Sequence, residues 1–326
     1  MTVPIVELAE AYAGKRVCVI GGTGFLGYNL VCALARCGVA VTAASRGQTP
    51  SSQPLPAAVS YCPIDLRDEA GMTRLVANSD VIFSVAGRPG AIASVEAPEE
   101  DMQINLLGQY KLLNACVRSG NSPRLVFAST RLVYGKAQML PVAETHPTDP
   151  TSMYGIHTLA AEKYHLLYQH SQGVRTTVLR ITVPYGPYMP PNTSTHGVIN
   201  HFIRTAVAGG AICLFGGGRQ IRDVLYIDDL VKAFLEVGRT ETLVGAVVNV
   251  GSGIRQKLHD IARAIIATAG AGRIEFAPWP DNAVRVETGD FYADIGRITT
   301  ATGWRPEVSL KEGIERTVAY YQAHQR

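Results

Sequence analysis

The sequence predicts an α/β protein built on a doubly wound parallel sheet of the Rossmann type, with a smaller C-terminal substrate lobe. Short apolar runs alternate with longer helical periods over the first half of the 326 residues, and a glycine-rich turn follows the first run. This alternation is typical of parallel sheets covered by helices. Hydrophobic residues at 47% and charged residues at 17% supply enough apolar surface for such a core and exclude a disordered chain.

The first βα unit opens the predicted sheet. Residues 16–20 form an apolar run that stops at Gly21, and residues 25–37 have the pattern of a helix that ends at Gly38. Further segments of the first half follow the same alternation. Strands are predicted at 39–43, 59–63, 81–85, 124–128 and 176–181, and helices at 101–118 and 153–170.

The pattern changes after residue 181. The segment PYGPYMPPNTSTHG is rich in proline, glycine and polar residues, which predicts a domain junction and the rim of an active site. A strand at 213–215 and helices at 228–237, 258–269 and 310–322 follow. We expect a dinucleotide-binding domain at 1–181, to which 225–252 return, and a lobe formed mainly by 182–326.

Composition and charge favour a small-molecule partner. The net charge is +3 and there is no long Lys/Arg run, which argues against nucleic acid or a membrane surface. The uncharged stretch 17–35 contains four glycines, so a strand, turn and helix explain it better than a membrane span. The first residues lack the basic start of a signal peptide, and the six cysteines show no metal-ligand spacing. We therefore expect a cytoplasmic protein with free thiols and no metal.

The turn GGTGFLG predicts a dinucleotide site. Gly21, Gly24 and Gly27 follow a strand and open a helix. Backbone N–H groups and the positive end of the helix can then approach a pyrophosphate without obstruction by a side chain.

The end of the second strand indicates which dinucleotide binds. An NAD site normally places Asp or Glu there, but VAVTAASRGQTP has neither. Arg46, assisted by Ser45, is suited to a 2′-phosphate, so NADP is favoured and NAD remains possible; a solvated loop arginine is the alternative. Asp65 in IDLRD is placed either to accept from the adenine amino group or to cap a helix.

Several longer motifs carry a family resemblance. They are GGTGFLG, IDLRD, QINLLGQYKLLNAC with Asn105, ASTRLVYG, PTSMYGIHTLAAEKY, GGGRQIRDVLYIDD, VNVGSG and GWRP. With these motifs in this order, the chain resembles the extended short-chain dehydrogenase/reductase family of nucleotide-sugar epimerases, dehydratases and ketoreductases. The resemblance implies an NAD(P) domain, a lobe that holds a nucleotide sugar, and a homodimer.

The resemblance assigns the chemistry to two side chains. The active-site hydroxyl falls on Thr130 and the acid/base tyrosine on Tyr154. Hydride transfer at a carbon requires a proton to leave or reach its oxygen, which a phenol beside the substrate can provide.

The chain departs from the family at the YxxxK lysine, which is Thr158 here. A threonine hydroxyl can hold the nicotinamide ribose but adds no charge to lower the pKa of Tyr154. Lys163 lies on the opposite helix face, whereas His157 is a possible surrogate or simply a solvated side chain. We expect an impaired enzyme or, as the alternative, a catalytically silent dinucleotide-binding protein or subunit.

The substrate strand departs as well. RITVPYGP has Val183 where many relatives have asparagine, while Arg222 matches the diphosphate-binding arginine and Arg219 is close by. Arg222 alternatively pairs with Asp223 or Asp229. The full set implied for the cofactor is Gly21, Gly24, Phe25, Leu26, Gly27, Ser45, Arg46, Asp65, Leu66, Val85, Ala86, Asn105, Tyr154 and Thr158. The set implied for the substrate is Thr130, Asn192, Arg219 and Arg222.

These residues together predict hydride transfer at C4 of a nucleotide-activated sugar, by an epimerase or a 4-ketoreductase. Arg46 favours the reductase, whereas DFYADIGRI and GWRP are more similar to the epimerases. A 4,6-dehydratase is disfavoured because Arg131 and Leu132 stand in place of its Asp-Glu pair.

Overall fold

The computed structural model describes residue 8 and residues 10–47, 53–190 and 197–324. The strands in chain order are β1 (Arg16–Ile20), β2 (Ala40–Ser45), β3 (Val59–Pro63), β4 (Val81–Ser84), β5 (Arg124–Thr130), β6 (Thr176–Ile181), β7 (Val183–Tyr185), β8 (Ala211–Phe215), β9 (Ile221–Arg222), β10 (Val224–Tyr226), β11 (Val247–Val250), β12 (Gln256–Lys257) and β13 (Arg273–Ala277).

The helices flank the sheet and build the C-terminal region. They are α1 (Phe25–Arg36), α2 (Glu69–Ala77), α3 (Ala91–Glu96), α4 (Pro98–Met102), α5 (Gly108–Arg118), α6 (Met153–Gln172), α7 (Val198–Val207), α8 (Ile227–Arg239), α9 (Leu258–Ala269), α10 (Asp281–Val286), α11 (Gly296–Thr302) and α12 (Leu310–Ala323). None of the helices within the described ranges is long and apolar enough to cross a membrane.

Seven strands form one parallel sheet, which confirms the predicted fold class. Their order is β11-β6-β5-β4-β1-β2-β3. Residues of β4 and β6 are buried throughout, as expected for strands covered by helices on both faces. The strand order reverses between β1 and β4, and in such sheets ligands bind at the carboxyl ends of the strands beside this reversal.

The boundaries of several elements differ from the prediction. β5 continues to Thr130 because its ladder with β6 pairs Thr130 with Ile181. The predicted helix at 101–118 is instead α4, a π-helical turn at Gln103–Leu107, and α5. The pattern also missed α2, whose N-cap is Asp68, accepting from the Gly71 amide at 3.0 Å. The alternative role of Asp65 as a helix cap is therefore wrong, since Asp68 provides that cap.

The C-terminal region supplies both a lobe and a sheet strand. β8 and β13 pair in parallel and pack with α7 and α9. β11 extends the main sheet by pairing with β6, with Val250 opposite Ile181. The division at residue 181 remains a prediction, as does the return of 225–252 to the sheet domain.

Candidate active site

A cavity of about 770 Å³ runs from the glycine-rich turn, past the ends of β4 and β5, into the C-terminal lobe. It brings together predicted residues from several segments of the chain. These are Gly24, Phe25, Leu26, Val85, Ala86, Asn105, Thr130, Tyr154, Thr158 and Arg222. Gly21, Gly27, Ser45, Arg46, Asp65, Leu66 and Arg219 are not among its lining residues, and Asn192 lies outside the described residues.

The backbone of the glycine-rich turn is packed so closely that Gly21 and Gly27 have no room for a Cβ. A pyrophosphate can therefore approach the backbone amides directly. A Cβ on Gly21 would lie 2.7 Å from the Ala86 amide nitrogen, and Gly21 has a φ of +91°. A Cβ on Gly27 would lie 2.0 Å from the Gly21 carbonyl oxygen. The amides of Phe25 and Leu26 start α1 and have no intrahelical acceptor there, so they can meet an anion.

Beyond the turn, the ends of β2 and β3 carry polar groups. Ser45 Oγ is 2.7 Å from Thr23 Oγ1, and Arg46 is exposed. Arg67 donates to both Asp65 carboxylate oxygens at 2.8 and 2.6 Å and lowers the pKa of Asp65 to about 2, with a smaller contribution from the charge of Arg46. Asp65 is thus an ionised acceptor at neutral pH, with Arg46 near it.

Asn105 fixes the loop that follows β4. The Arg88 amide donates to Asn105 Oδ1 at 2.8 Å, and Asn105 Nδ2 donates to the Arg88 carbonyl at 3.0 Å. This pairing places the π-helical turn against the segment that contains Val85 and Ala86, so Asn105 shapes the cavity wall in addition to lining it.

Tyr154 lies in the first turn of α6, which the Ser152 side chain caps by accepting from the Gly155 amide. Burial raises the pKa of Tyr154 to about 12, and the negative charge of Asp101 acts in the same direction. Hydrogen bonds with the hydroxyls of Thr130 and Thr158 lower it by less. The structure thus brings the three predicted side chains together, beside a carboxylate that the sequence did not predict. Their roles stay predictions.

Asp101 and His157 form a buried pair next to the phenol. Asp101 Oδ1 lies 2.7 Å from His157 Nδ1, and Asp101 has no exposed surface. Its Oδ2 has no hydrogen-bond partner in the described part of the chain. His157 does not line the cavity. Its contact with Asp101 contradicts the alternative of a solvated side chain, whereas a role as surrogate for the missing lysine stays a prediction. The acidic run before Asp101 has the pattern of an ordinary first helical turn, so no sequence signal pointed to this pair.

At the lobe end of the cavity, Arg222 is buried and paired with Glu287. Its Nη1 donates to the carbonyls of Ile221 and Gly289, and its Nη2 donates to both oxygens of Glu287 at 2.8 and 2.9 Å. The alternative pairing of Arg222 with Asp223 or Asp229 is wrong. Asp223 accepts from the Ser252, Gly253 and Ala293 amides, and Asp229 from the Glu307 and Val308 amides.

Two further findings concern Arg219 and Val183, and the possibility of a metal site. Arg219 is exposed and lies apart from the cavity wall, whereas Val183, which replaces the expected asparagine, lines it. In the ranges the structure describes, no group of three or more His, Cys, Asp or Glu residues is arranged to hold a metal ion.

Comparison with known proteins gives a consistent result. The model of the NAD dependent epimerase/dehydratase family matches residues 17–251. A protein of Methanocaldococcus jannaschii described as a putative UDP-glucose 4-epimerase is 30% identical over 315 residues, which cover 95% of this chain and 99% of that protein.

Solved structures agree in fold over nearly the whole chain. The UDP-glucose 4-epimerase of Thermus thermophilus, in complex with NAD, is 30% identical, with a TM-score of 0.84 and coverage of 94% of this chain and 98% of that one. The UDP-glucose 4-epimerase of Thermotoga maritima, with UDP-glucose, is 27% identical, with a TM-score of 0.88 and coverage of 95% and 100%.

Proposed function

The chain belongs to the NAD dependent epimerase/dehydratase family, and we propose that it transfers a hydride at C4 of a nucleotide-activated sugar, as an epimerase or a 4-ketoreductase. One observation carries the proposal: the Tyr154 phenol and the Thr130 hydroxyl share one cavity with a glycine-rich turn suited to a pyrophosphate. The relatives named above act on UDP-glucose according to their descriptions, which supports this substrate class.

The bound dinucleotide would supply the hydride acceptor or donor. The chain's own residues would hold it by the first amides of α1, with Asn105 shaping the wall beside Val85 and Ala86. Tyr154 would take the proton from the sugar hydroxyl and return it. Thr130 would hold the same oxygen, since its own Oγ1 accepts from the Leu132 amide at 3.2 Å and its hydroxyl proton remains available.

The pKa of Tyr154 sets the cost of this proton transfer. At a pKa of about 12 the phenolate is scarce near neutral pH, so the step that needs a base is slow there. Thr158 would hold the nicotinamide ribose through its hydroxyl. Thr158 adds no positive charge to favour the phenolate. We expect impaired catalysis because this charge is missing.

For the cofactor, the finer proposal is NADP, selected by Arg46 through the 2′-phosphate. The relative from Thermus binds NAD, so NAD is the competing outcome. Titration of NADP and NAD against the unmodified chain and Arg46→Ala tests the choice, with the exposed Arg263→Gln as a matched control. We expect Arg46→Ala to weaken NADP selectively. Tighter NAD binding by both proteins would contradict the proposal.

Mass spectrometry of the denatured, purified protein tests the proposed function. Released NAD that the native protein retains tightly would indicate an epimerase, which must return the hydride to the same substrate. Exchangeable NADPH with turnover of a sugar nucleotide would indicate a reductase. A bound cofactor without turnover of any nucleotide sugar would favour the catalytically silent protein and contradict the enzyme proposal.

We also propose a cytoplasmic homodimer formed through α5 and α6. The six cysteines, all within the described ranges, form no disulfide, which suits a reducing compartment. Large apolar side chains of both helices are exposed: Tyr110, Val117, Met153, Ile156, Tyr164 and Leu167. Leu167→Glu should shift sedimentation to the monomer, whereas Phe276→Glu, at an exposed site in the lobe, should not. Sedimentation of the unmodified chain as a monomer would contradict the dimer.

A further inference from the structure

Among the described residues that line the cavity, one charged side chain forms no salt bridge. Of the described lining residues, those charged at neutral pH are Arg131, Arg222 and Glu287. His201 adds none, because burial and the nearby Arg204 lower its pKa. Glu287 offsets Arg222 through two hydrogen bonds to the same guanidinium. The wall therefore has a net positive charge, and that charge lies on Arg131.

The contacts of Arg131 leave most of its donors open. Its Nη1 donates to Thr288 Oγ1 at 2.9 Å, and its guanidinium carbon lies 5.2 Å from the centre of the Phe291 ring. Within the described ranges no carboxylate forms a salt bridge with it. A guanidinium has five N–H donors in a planar fork that matches a carboxylate, so one hydroxyl acceptor does not satisfy it.

The surroundings disfavour this charge unless an anion is present. Burial lowers the pKa of Arg131 to about 9 and the positive charge of Arg222 acts in the same direction, while the negative charges of Glu287 and Asp223 oppose the shift without cancelling it. A half-buried cation next to a second cation is costly, and a bound oxyanion would offset that cost.

The position of Arg131 indicates which part of a ligand it meets. Arg131 directly follows Thr130, whose hydroxyl bonds with the Tyr154 phenol, and its side chain reaches Thr288 on the facing segment. A group bound by Arg131 would thus lie between the reacting hydroxyls and residues 287–289. In a glycosyl unit with its C4 oxygen at Tyr154, a carboxylate attached to the neighbouring C5 would be able to reach this region.

We propose that Arg131 binds an acidic group on the sugar, so that the substrate is a nucleotide sugar whose glycosyl unit carries a carboxylate. The inference rests on the proposed function. The diphosphate of the same substrate is the other source of an oxyanion, and it is assigned to Arg222 instead.

Calorimetric titration with UDP, UDP-glucose and UDP-glucuronic acid distinguishes the two sources. The unmodified chain should bind UDP-glucuronic acid about 10- to 100-fold more tightly than UDP-glucose, as expected for hydrogen bonds between charged groups. Arg131→Gln should abolish this preference and leave UDP affinity unchanged. Arg131→Lys should retain part of it, and Arg263→Gln, on the exposed side of α9, should retain all of it.

The other outcomes overturn specific statements. Equal affinity of the unmodified chain for the two sugars would contradict the acidic sugar. A parallel loss of UDP affinity in Arg131→Gln would assign Arg131 to the diphosphate. Failure of all three nucleotides to bind would contradict a uridine nucleotide sugar as the substrate and overturn the inference in this form. The proposed function would be contradicted only if thymidine and guanosine diphosphate sugars also failed to bind.

Discussion

The two ends of the cavity differ in how they use charge. Beside Tyr154 the structure places two hydroxyls and the buried carboxylate of Asp101, but the positive charge expected there is missing at Thr158. At the lobe end, Arg131 and Arg222 supply two positive charges against the single negative charge of Glu287. The lobe end of the cavity thus favours a bound anion, whereas the end beside Tyr154 disfavours the phenolate form of that side chain. Substrate affinity and proton transfer should therefore respond to different substitutions.

Tyr154→Phe should have the largest effect, because it removes the proton carrier and leaves the anion-binding end intact. Hydride transfer should fall about 10²- to 10⁴-fold, the usual contribution of a positioned acid or base. The measurement is single-turnover absorbance of the reduced nicotinamide. Nucleotide-sugar affinity, measured by calorimetry, should stay within a few-fold. A variant that transfers hydride at the unmodified rate would remove Tyr154 from the chemistry.

Arg222→Ala should weaken nucleotide-sugar affinity by about 1.5 to 3 kcal/mol, the range for a hydrogen bond to a charged group. Cofactor affinity should remain nearly unchanged. Since the substitution also leaves Glu287 without its partner, Arg222→Ala combined with Glu287→Gln separates the lost contact from repulsion by Glu287. Calorimetric titration provides both values. If the double variant binds as tightly as the unmodified chain, Arg222 does not hold the diphosphate.

Thr158→Lys would add the missing positive charge beside Tyr154 and so reduce the difference in charge between the two ends of the cavity. A lysine one helical turn after Tyr154 should lower the phenol's pKa, so the pH at which hydride transfer reaches half its maximum should fall. Near neutrality the rate should rise about 10- to 100-fold, or roughly 1.4 to 2.7 kcal/mol in activation free energy.

Thr158→Met is the matched control, since it adds similar bulk without charge at a site that is 3% exposed. The pH-rate profile of hydride transfer should shift in the lysine variant and not in the methionine variant. An unmodified chain at full rate near pH 7, unimproved by lysine, would show that another group already stabilises the phenolate.

Asp101→Asn should have the smallest effect of the four substitutions. Like Thr158→Lys, it should lower the pKa of the Tyr154 phenol. The carboxylate raises the pKa of Tyr154, so its neutral amide should lower the midpoint of the pH-rate profile, by about 1 pH unit or less. The amide oxygen can still accept from His157, which keeps the pair. Circular dichroism checks that the fold is retained. A midpoint that does not move in the folded variant would show that Asp101 has no electrostatic influence on the phenol.

The sequence predicted the parts of the site that short motifs define. Gly21, Gly24 and Gly27 have a backbone requirement that is visible within seven residues, and Tyr154 with Thr158 occupies one helical turn. The charge partners were not predictable in this way. His157 pairs with Asp101 across 56 residues, and Arg222 with Glu287 across 65. Such pairings depend on how helices and loops pack. From the sequence alone, many other acidic residues were equally plausible partners for His157 and Arg222.

The fold shows the same division. The central strands β1 and β6 were predicted at their observed bounds, and both are buried over all or nearly all of their length. The strands β9 and β12 have only two residues each, which is too short for a recognisable pattern. They are defined as strands by their pairing with one another. The π-helical turn at Asn105 has no sequence signature that separates it from an α-helix.

The pairing of β11 with β6 bears on the order in which the chain can fold during synthesis. β6 is complete at Ile181, but the strand that covers its outer edge arrives only with Val247–Val250. Until those residues leave the ribosome, a strand that is fully buried in the folded protein has one edge open to pairing with other chains. Truncations that end between the two strands should therefore aggregate, and a soluble cofactor-binding fragment would need to extend past residue 250.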